Sequence, residues 1–367
     1  MARQLDKITL KGFKSIQDLE DFELGSVTVL IGANGCGKSN FVSFFSFLRE
    51  MIEGRLEKTV NLAGKADVLL YLGPKVTSQI ECKLDLGDNG YRFKLERTKD
   101  SRLIFDDERI VWFGTSGPGY PVNRSIGSGH SESKLKDQIE DENHNKAISE
   151  YIYSAMSRWV VYHFHDTSDT AAMRGECSGR DFDRLRPDGG NLAAFLYRLR
   201  QENKQSYRLI KDTVRLIAPF FDDFLLRPEN DRVRLEWQQK GSDFPFQANQ
   251  LSDGTIRFIC LATALLQPSP PATIVIDEPE LGLHPYAISM LADLIKSASE
   301  RTQMIISTQS PTLLDYFEPE EIVVVNRKEG RSTFERLDAE QLSEWMEDYS
   351  VGELWQKNVV RGGPTSE

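Results

Sequence analysis

Eight consecutive residues, Gly32-Ala33-Asn34-Gly35-Cys36-Gly37-Lys38-Ser39, carry the spacing G-x-x-x-x-G-K-[ST]. Glycines so spaced let the backbone turn tightly, so that successive N–H groups converge on phosphate oxygens at a helix N-terminus. Lys38 is then expected to reach the β- and γ-phosphates of ATP and the Ser39 hydroxyl to ligate Mg2+, with Asn40 counted among the nucleotide-binding residues. Far downstream, Ile274-Val275-Ile276-Asp277-Glu278 is an apolar run ending in two adjacent carboxylates. A strand of this kind delivers its last residues to the sheet edge where phosphate loops sit. Asp277 is therefore expected to hold Mg2+, directly or through water, and Glu278 to orient or deprotonate an attacking water.

Periodicity indicates which elements hold these residues. Val27–Ile31 reads as a short strand feeding the glycine turn, and Phe41, Phe44, Phe45, Leu48 and Ile52 then recur at three and four residues, as on a buried helix face. Ile8-Thr9-Leu10 and the run from Gly12 to Ile16 read as earlier strands. Gln79–Leu86 and 91–95 alternate on either side of Asp88-Asn89-Gly90, a hairpin signal. Residues 114–133, rich in Gly, Ser and Pro, predict a loop or lid. A polar helix is expected over about 134–157, a buried strand over 159–164, and a helix or helix pair capped by Asn191 and reaching Ile217. The last third alternates helix and strand in the manner of a parallel sheet, with helices over 252–266 and 285–299 and strands over 273–277, 304–307 and 322–325. The boundaries read as an N-terminal lobe (1–113), a loop-rich helical insertion (114–245), a C-terminal lobe (246–345) and a tail (346–367).

Composition narrows the function classes. The 367 residues carry 45 Lys+Arg against 56 Asp+Glu, a net charge of −11, with 40% hydrophobic residues. Those proportions exclude a disordered or collagen-like chain and argue against an overall electrostatic grip on DNA or anionic lipid. Cys36, Cys82, Cys177 and Cys260 are far apart and form no C-x-x-C pair, so neither a zinc ribbon nor a disulfide framework is expected. No apolar segment behind Met1 reads as a secretory leader, and no run approaches the roughly 18–20 residues that span a bilayer. The expectation is a cytoplasmic protein without membrane contact.

Leu251-Ser252-Asp253-Gly254-Thr255, just before a helix, resembles the signature element of ABC-type ATPases in the form met in the RecF/SMC-like branch. Glu280-Leu281-Gly282-Leu283-His284-Pro285 resembles its D-loop, and the opening Ile8-Thr9-Leu10-Lys11-Gly12-Phe13-Lys14-Ser15 also looks like this branch. The resemblance implies an α/β phosphate-loop ATPase, an ABC-type head with an antiparallel β subdomain and a helical insertion. It implies that Ser252, Asp253 and Gly254 meet the γ-phosphate held by a second copy, so that ATP joins a head-to-head homodimer. Ser307-Thr308-Gln309-Ser310-Pro311 falls where the family usually carries a switch histidine. Gln309 can donate a hydrogen bond there but cannot carry a proton, so turnover is expected to be slow. The middle segment has no sustained heptads, which rules out a coiled-coil arm. The stretch after Gln309 is too short for the Toprim nuclease domain of OLD-related proteins. A nuclease or other effector is therefore expected on a separate polypeptide, in phage defence or DNA maintenance. The rivals are a nucleotide-binding subunit of a membrane transporter and a non-hydrolysing scaffold.

Three further patterns carry weaker readings. Lys204, Arg208, Lys211 and Arg215 form one stripe on a helix, a candidate surface for DNA or an acidic partner against the plainer reading of a solvated, ion-paired face. His163 and His165 share a strand face beside Asp166, the spacing of a two-ligand metal site with no third ligand evident. Arg174 stands in a loop from which it could reach phosphate.

Overall fold

Val27–Ile31 forms a strand (β3) buried at every position, as befits a parallel strand covered on both faces. In the computed structural model, which describes residues 4–114, 122–140 and 146–360, β3 lies inside a six-stranded sheet ordered β17-β16-β3-β15-β14-β8. Here β8 is Trp159–Tyr162, β14 Thr273–Asp277, β15 Gln303–Thr308, β16 Ile322–Lys328 and β17 Arg331–Arg336. Every neighbour is parallel except the β16–β17 hairpin. The second six-stranded sheet is antiparallel, ordered β2-β1-β4-β5-β6-β7: β1 Lys7–Phe13, β2 Ile16–Glu23, β4 Gln79–Leu86, β5 Asn89–Arg97, β6 Leu103–Trp112 and β7 Val122–Gly127.

Helix α1 (Lys38–Ile52) packs against both sheets. Its Phe44 ring lies 4.9 Å from Phe13 of β1 and its Phe45 ring 5.5 Å from Trp159 of β8. Short helices α2 (Leu56–Leu62) and α3 (Ala66–Leu69) follow it, and α4 (Asp137–Glu140) and α5 (Lys146–Met156) precede β8. A second core, on the opposite face of the parallel sheet, draws on α6 (Leu192–Glu202), α7 (Lys204–Ile217), α8 (Asp253–Leu266) and α9 (Pro285–Ser299). Two small sheets complete this side, β9 (Glu176–Ser178) with β11 (Arg232–Arg234), and β10 (Phe221–Leu225) with β12 (Glu236–Gln239) and β13 (Pro245–Gln247). Near the end come α10 (Pro311–Leu314), α11 (Ala339–Met346) and α12 (Val351–Gln356). Among the described residues the longest helices have 15 residues and no coiled-coil arm leaves the body.

Several expectations shift. The stretch expected as a lid contains β7, a polar edge strand in which only Ile126 is buried, so no alternation betrays it; residues 115–121 lie outside the described residues. The helix expected over 134–157 is two helices, α4 and α5, with 141–145 outside the described residues. Both β7 and β8 arise from the segment expected as an insertion, yet each completes a main sheet. The β4–β5 turn falls at Gly87-Asp88, because Leu86 pairs with Asn89. Asn191 stands at the N-cap position of α6 and its carbonyl accepts from the Phe195 amide, but its side chain makes no capping bond: it accepts from the Arg186 amide (2.8 Å) and donates to the carbonyls of Asp181 (2.9 Å) and Arg184 (2.8 Å), bracing the loop before the helix.

Candidate active site

The strand order brings the expected residues to one edge. The glycine loop follows β3, Asp277 ends β14, and β15, which leads to Gln309, lies between those two strands. Ser307 is in register with Asp277 and Thr308 with Ile31, so the loops leave the sheet side by side.

Gly37 enters α1 at φ 113, in left-handed space, where a Cβ would collide with the hydroxyl of Ser332 on β17. That hydroxyl donates to the Cys36 carbonyl (2.6 Å) and stands 2.7 Å from the Ser15 hydroxyl. Ser15 in turn accepts from the Asn40 amide at 2.7 Å. Asn40 thus braces the glycine loop from behind, together with Ser15 and Ser332, which sequence reasoning did not single out. The buried Lys38 ammonium donates to the carbonyls of Gly32 (2.7 Å) and Ala33 (3.2 Å), spanning its own loop. Asn34, Gly35 and Ser39 are exposed at the rim.

The acidic strand end contains several polar atoms without protein partners. Asp277 Oδ1 and Ser307 Oγ are both buried and unpartnered in the structure. A hard cation with its water would satisfy such a carboxylate, and the exposed Ser39 hydroxyl is the other oxygen ligand expected. The donor set therefore suits Mg2+, which uses one or two protein oxygens with substrate phosphates rather than a cage. The Asp277 carbonyl accepts from His165 Nε2 at 2.6 Å; because a carbonyl only accepts, the proton is on Nε2. Burial pushes the neighbouring His163 below the usual imidazole range. Among the described residues no cluster of three or more His, Cys, Asp or Glu is placed to hold a metal ion, so the paired histidines do not form the metal site considered for them.

Glu278 sits at φ 44, a conformation uncommon for a side-chain-bearing residue. Its amide donates to the Ser307 carbonyl (2.7 Å), and its carboxylate accepts from the Gln309 side-chain amide. Beside this pair, Glu280 Oε1 accepts from the Thr308 hydroxyl (2.5 Å) and the Gln309 backbone N–H (3.1 Å), while Oε2 is buried without a partner. Burial pushes the Glu280 carboxyl above the usual carboxylate range, and the Glu278 charge adds to this. Glu280 thus ties the loop after β15 to the loop after β14. The only signal for it in the sequence was its place in the D-loop resemblance.

Ser252 caps α8, accepting from the Thr255 amide at 3.2 Å. Ser252 and Asp253 are exposed, whereas Leu251 is buried. Arg174 lies beneath this turn and does not reach towards phosphate. Its guanidinium donates to the carbonyls of Thr167 (2.9 Å), Leu251 (3.1 Å) and Ala248 and to the Asp253 carboxylate (2.8 Å). The Arg174 side chain is 4% exposed against 68% for Asp253, so its main work is satisfying three carbonyls rather than pairing a charge. A Cβ on Gly254 would collide with the Gly282 carbonyl, so the start of α8 packs on residues 280–285 of its own chain. Arg257, one turn on, donates to the carbonyls of Phe164 (2.8 Å), His165 (3.0 Å) and Leu281. Its mark in the sequence was a lone charge within the apolar run of α8.

Half of the basic stripe on α7 is neutralised. Lys211 pairs with Asp223 (3.2 Å), and Arg215 with Asp212 (3.1 Å) and Asp222 (2.6 Å), leaving Lys204 and Arg208 exposed.

Residues 27–315 match the family model described as "AAA domain, putative AbiEii toxin, Type IV TA system". Among solved structures, the chain is similar to an Smc head bound to the C-terminal winged-helix domain of ScpA (TM-score 0.59, 16% identity, covering 92% of this chain and 99% of that one). It is similar also to a Pyrococcus furiosus Smc head with an extended coiled coil (0.58, 16%, 94% and 98%) and to a Pyrococcus yayanosii Smc head (0.52, 13%, 94% and 99%). No curated protein matches the sequence. No helix of the described residues is long and apolar enough to cross a membrane. With the family model spanning most of its length and the strand order placing the glycine loop, the acidic pair and Gln309 on one edge, the chain belongs to this AAA family of ATPases and has the fold of RecF/SMC-like, ABC-type heads.

Proposed function

We propose that this protein hydrolyses Mg-ATP slowly, clasps the nucleotide between two copies of itself, and uses that cycle as a conformational switch over a separately encoded effector, a nuclease in phage defence or DNA maintenance. The observation that carries the reading is the signature turn, with Ser252 and Asp253 exposed and Gly254 half-buried. Capped and anchored from below by Arg174, it belongs to the same chain as a complete glycine loop.

In this account the backbone N–H groups of residues 32–39 cradle the phosphates, and Lys38 exchanges its loop carbonyls for phosphate oxygens. Ser39 and Asp277 hold Mg2+, which when bound would draw charge from the β- and γ-phosphates. Glu278 accepts a proton from, or orients, the attacking water, and the Gln309 amide, held on Glu278, moves to the γ-phosphate. Gln309 can donate but not shuttle a proton, which suits a slow switch better than a fast motor. Ser252, Asp253 and Gly254 of a second copy close the site with helix N-terminal donors. The Smc heads similar in fold include one bound to a domain of ScpA, a precedent for a separate protein on such a head. The toxin–antitoxin wording of the family description supports a defence setting. Phosphate release by the wild-type protein and by Lys38→Ala tests the hydrolytic part: release that stops in the variant supports it, and equal release from both, or none from the wild type, contradicts it.

A further inference from the structure

A cavity of about 360 Å3 opens on the far side of the parallel sheet, along β8 from Arg158 to Tyr162 and beside the residues that precede β14. Its apolar wall is formed by Val160 and Tyr162 of β8, by Phe182, by the α6 residues Phe195 and Leu199, and by Pro270, while Asp183 and Glu202 bring two carboxylates to its lining. Volume and lining are those of small-molecule sites, which combine apolar walls with a few placed polar groups. Three arginines stand around it, Arg158, Arg184 and Arg198. Arg198 is committed to Asp183 (3.0 Å) and Glu202 (2.6 Å) and covers the Phe182 ring. Among the described residues the Arg158 guanidinium makes one bond, to the Pro270 carbonyl (2.8 Å), and both Arg158 and Arg184 are exposed at the rim, with donors left for an anion.

The floor of the cavity reaches the machinery described above. Gln267, the C-cap of α8, lines it and donates to the Tyr162 hydroxyl (3.3 Å) and the Ala264 carbonyl (2.6 Å). Arg301 holds that end of the helix through the Leu265 (2.9 Å) and Gln267 (3.1 Å) carbonyls. From Thr255 to Leu266 every residue of α8 is buried, so the helix is a fully packed rod of about 20 Å whose other end is the Ser252 turn. Strand β8 likewise runs from the cavity towards His165, which bonds Asp277.

We propose that this cavity is a regulatory site for a small aromatic anion. The ring system lies against Tyr162, Phe182 and Phe195, the anionic group meets Arg158 and Arg184, and occupancy is relayed along α8 to the signature turn. The relay rests on the switch reading above; binding to the cavity does not.

The probe is 1-anilinonaphthalene-8-sulfonate, titrated by fluorescence into the full chain without nucleotide. One saturable site per chain is expected. Leu199→Trp, which fills the cavity, and the rim pair Arg158→Glu with Arg184→Glu should each weaken binding at least tenfold. Phe244→Ser, which removes an exposed aromatic elsewhere, should leave it unchanged. Loss of signal in Phe244→Ser, or full binding in the folded rim variant, overturns the site. For the relay, saturating ATP should shift the probe's Kd at least threefold, by the reciprocity of coupled sites. An unmoved Kd in protein shown separately to bind ATP overturns the relay. Failure of ATP to change the protein's mass would count against the dimer reading alone.

Discussion

Replacing Glu280 separates a positioning role from a purely structural one. Its Oε1 is the acceptor for the Thr308 hydroxyl (2.5 Å) and the Gln309 amide (3.1 Å), and its Oε2 is buried with no partner. Glu280→Ala strands both donors. At about 1–3 kcal/mol for each buried unsatisfied group, less the relief of removing a desolvated carboxyl, the net cost is about 2–4 kcal/mol. Glu280→Gln keeps the accepting oxygen and places its NH2 where Oε2 had no partner, so it should cost about 1 kcal/mol or less. Because Glu280 aligns Gln309 with Glu278, the Ala variant should also lose about 10- to 100-fold in kcat, about 1.4–2.7 kcal/mol of barrier, with ATP affinity changed less than about threefold. The Gln variant should retain most of the rate. The assays are thermal unfolding and phosphate release at saturating ATP, with Kd measured separately. A pH series adds a sign. The folded-state pKa of Glu280 is raised above the usual carboxylate range, so the folded state holds this proton longer than the unfolded chain does. Stability from this group is therefore greatest at low pH and falls as pH rises from about 4.5 to the folded value. The Tm of Glu280→Gln relative to wild type should accordingly climb as pH rises through that window. A flat difference, or an Ala variant with wild-type rate and Tm, would refute the reasoning.

Further expectations concern the turn at the start of α8 and the loop after β15. Arg174→Met leaves the Thr167 and Leu251 carbonyls unpaired and takes one of two donors from the Ala248 carbonyl; Tm should fall and ATP-driven association should weaken at least tenfold, while ATP binding to the isolated chain changes less than about threefold, as calorimetry would read. Gly254→Ala drives a methyl into the Gly282 carbonyl and should abolish association without altering the far-UV circular dichroism spectrum. Gln309→His should raise kcat by supplying a group that can carry a proton; a rate unchanged or lower in single-turnover assays would remove the explanation offered for slow turnover.

The residues that announce themselves in this sequence are those whose chemistry needs a fixed local spacing. The glycine loop must be contiguous to wrap a phosphate, and Asp277-Glu278 must follow an apolar strand, so both were legible along with the strands and helices that carry them. The supports were not. Ser15 and Ser332 meet behind the glycine loop from opposite ends of the chain, and no periodicity links positions so far apart. Arg174 illustrates the same limit: an arginine in a loop beside polar residues reads as a phosphate ligand, and only the fold reveals that three carbonyls occupy it. Strand β7 escaped because an edge strand with a single buried side chain has no hydrophobic pattern to show, and β8 looked like part of an insertion because parallel neighbours can come from anywhere in the chain.

The central claim, that two copies share each nucleotide, is tested most directly by light scattering on Glu278→Gln with and without Mg-ATP. The account predicts a monomer mass without nucleotide and twice that mass with it, the doubling lost when Ser252→Arg is added. A mass indifferent to ATP, or a doubling that survives Ser252→Arg, would contradict it.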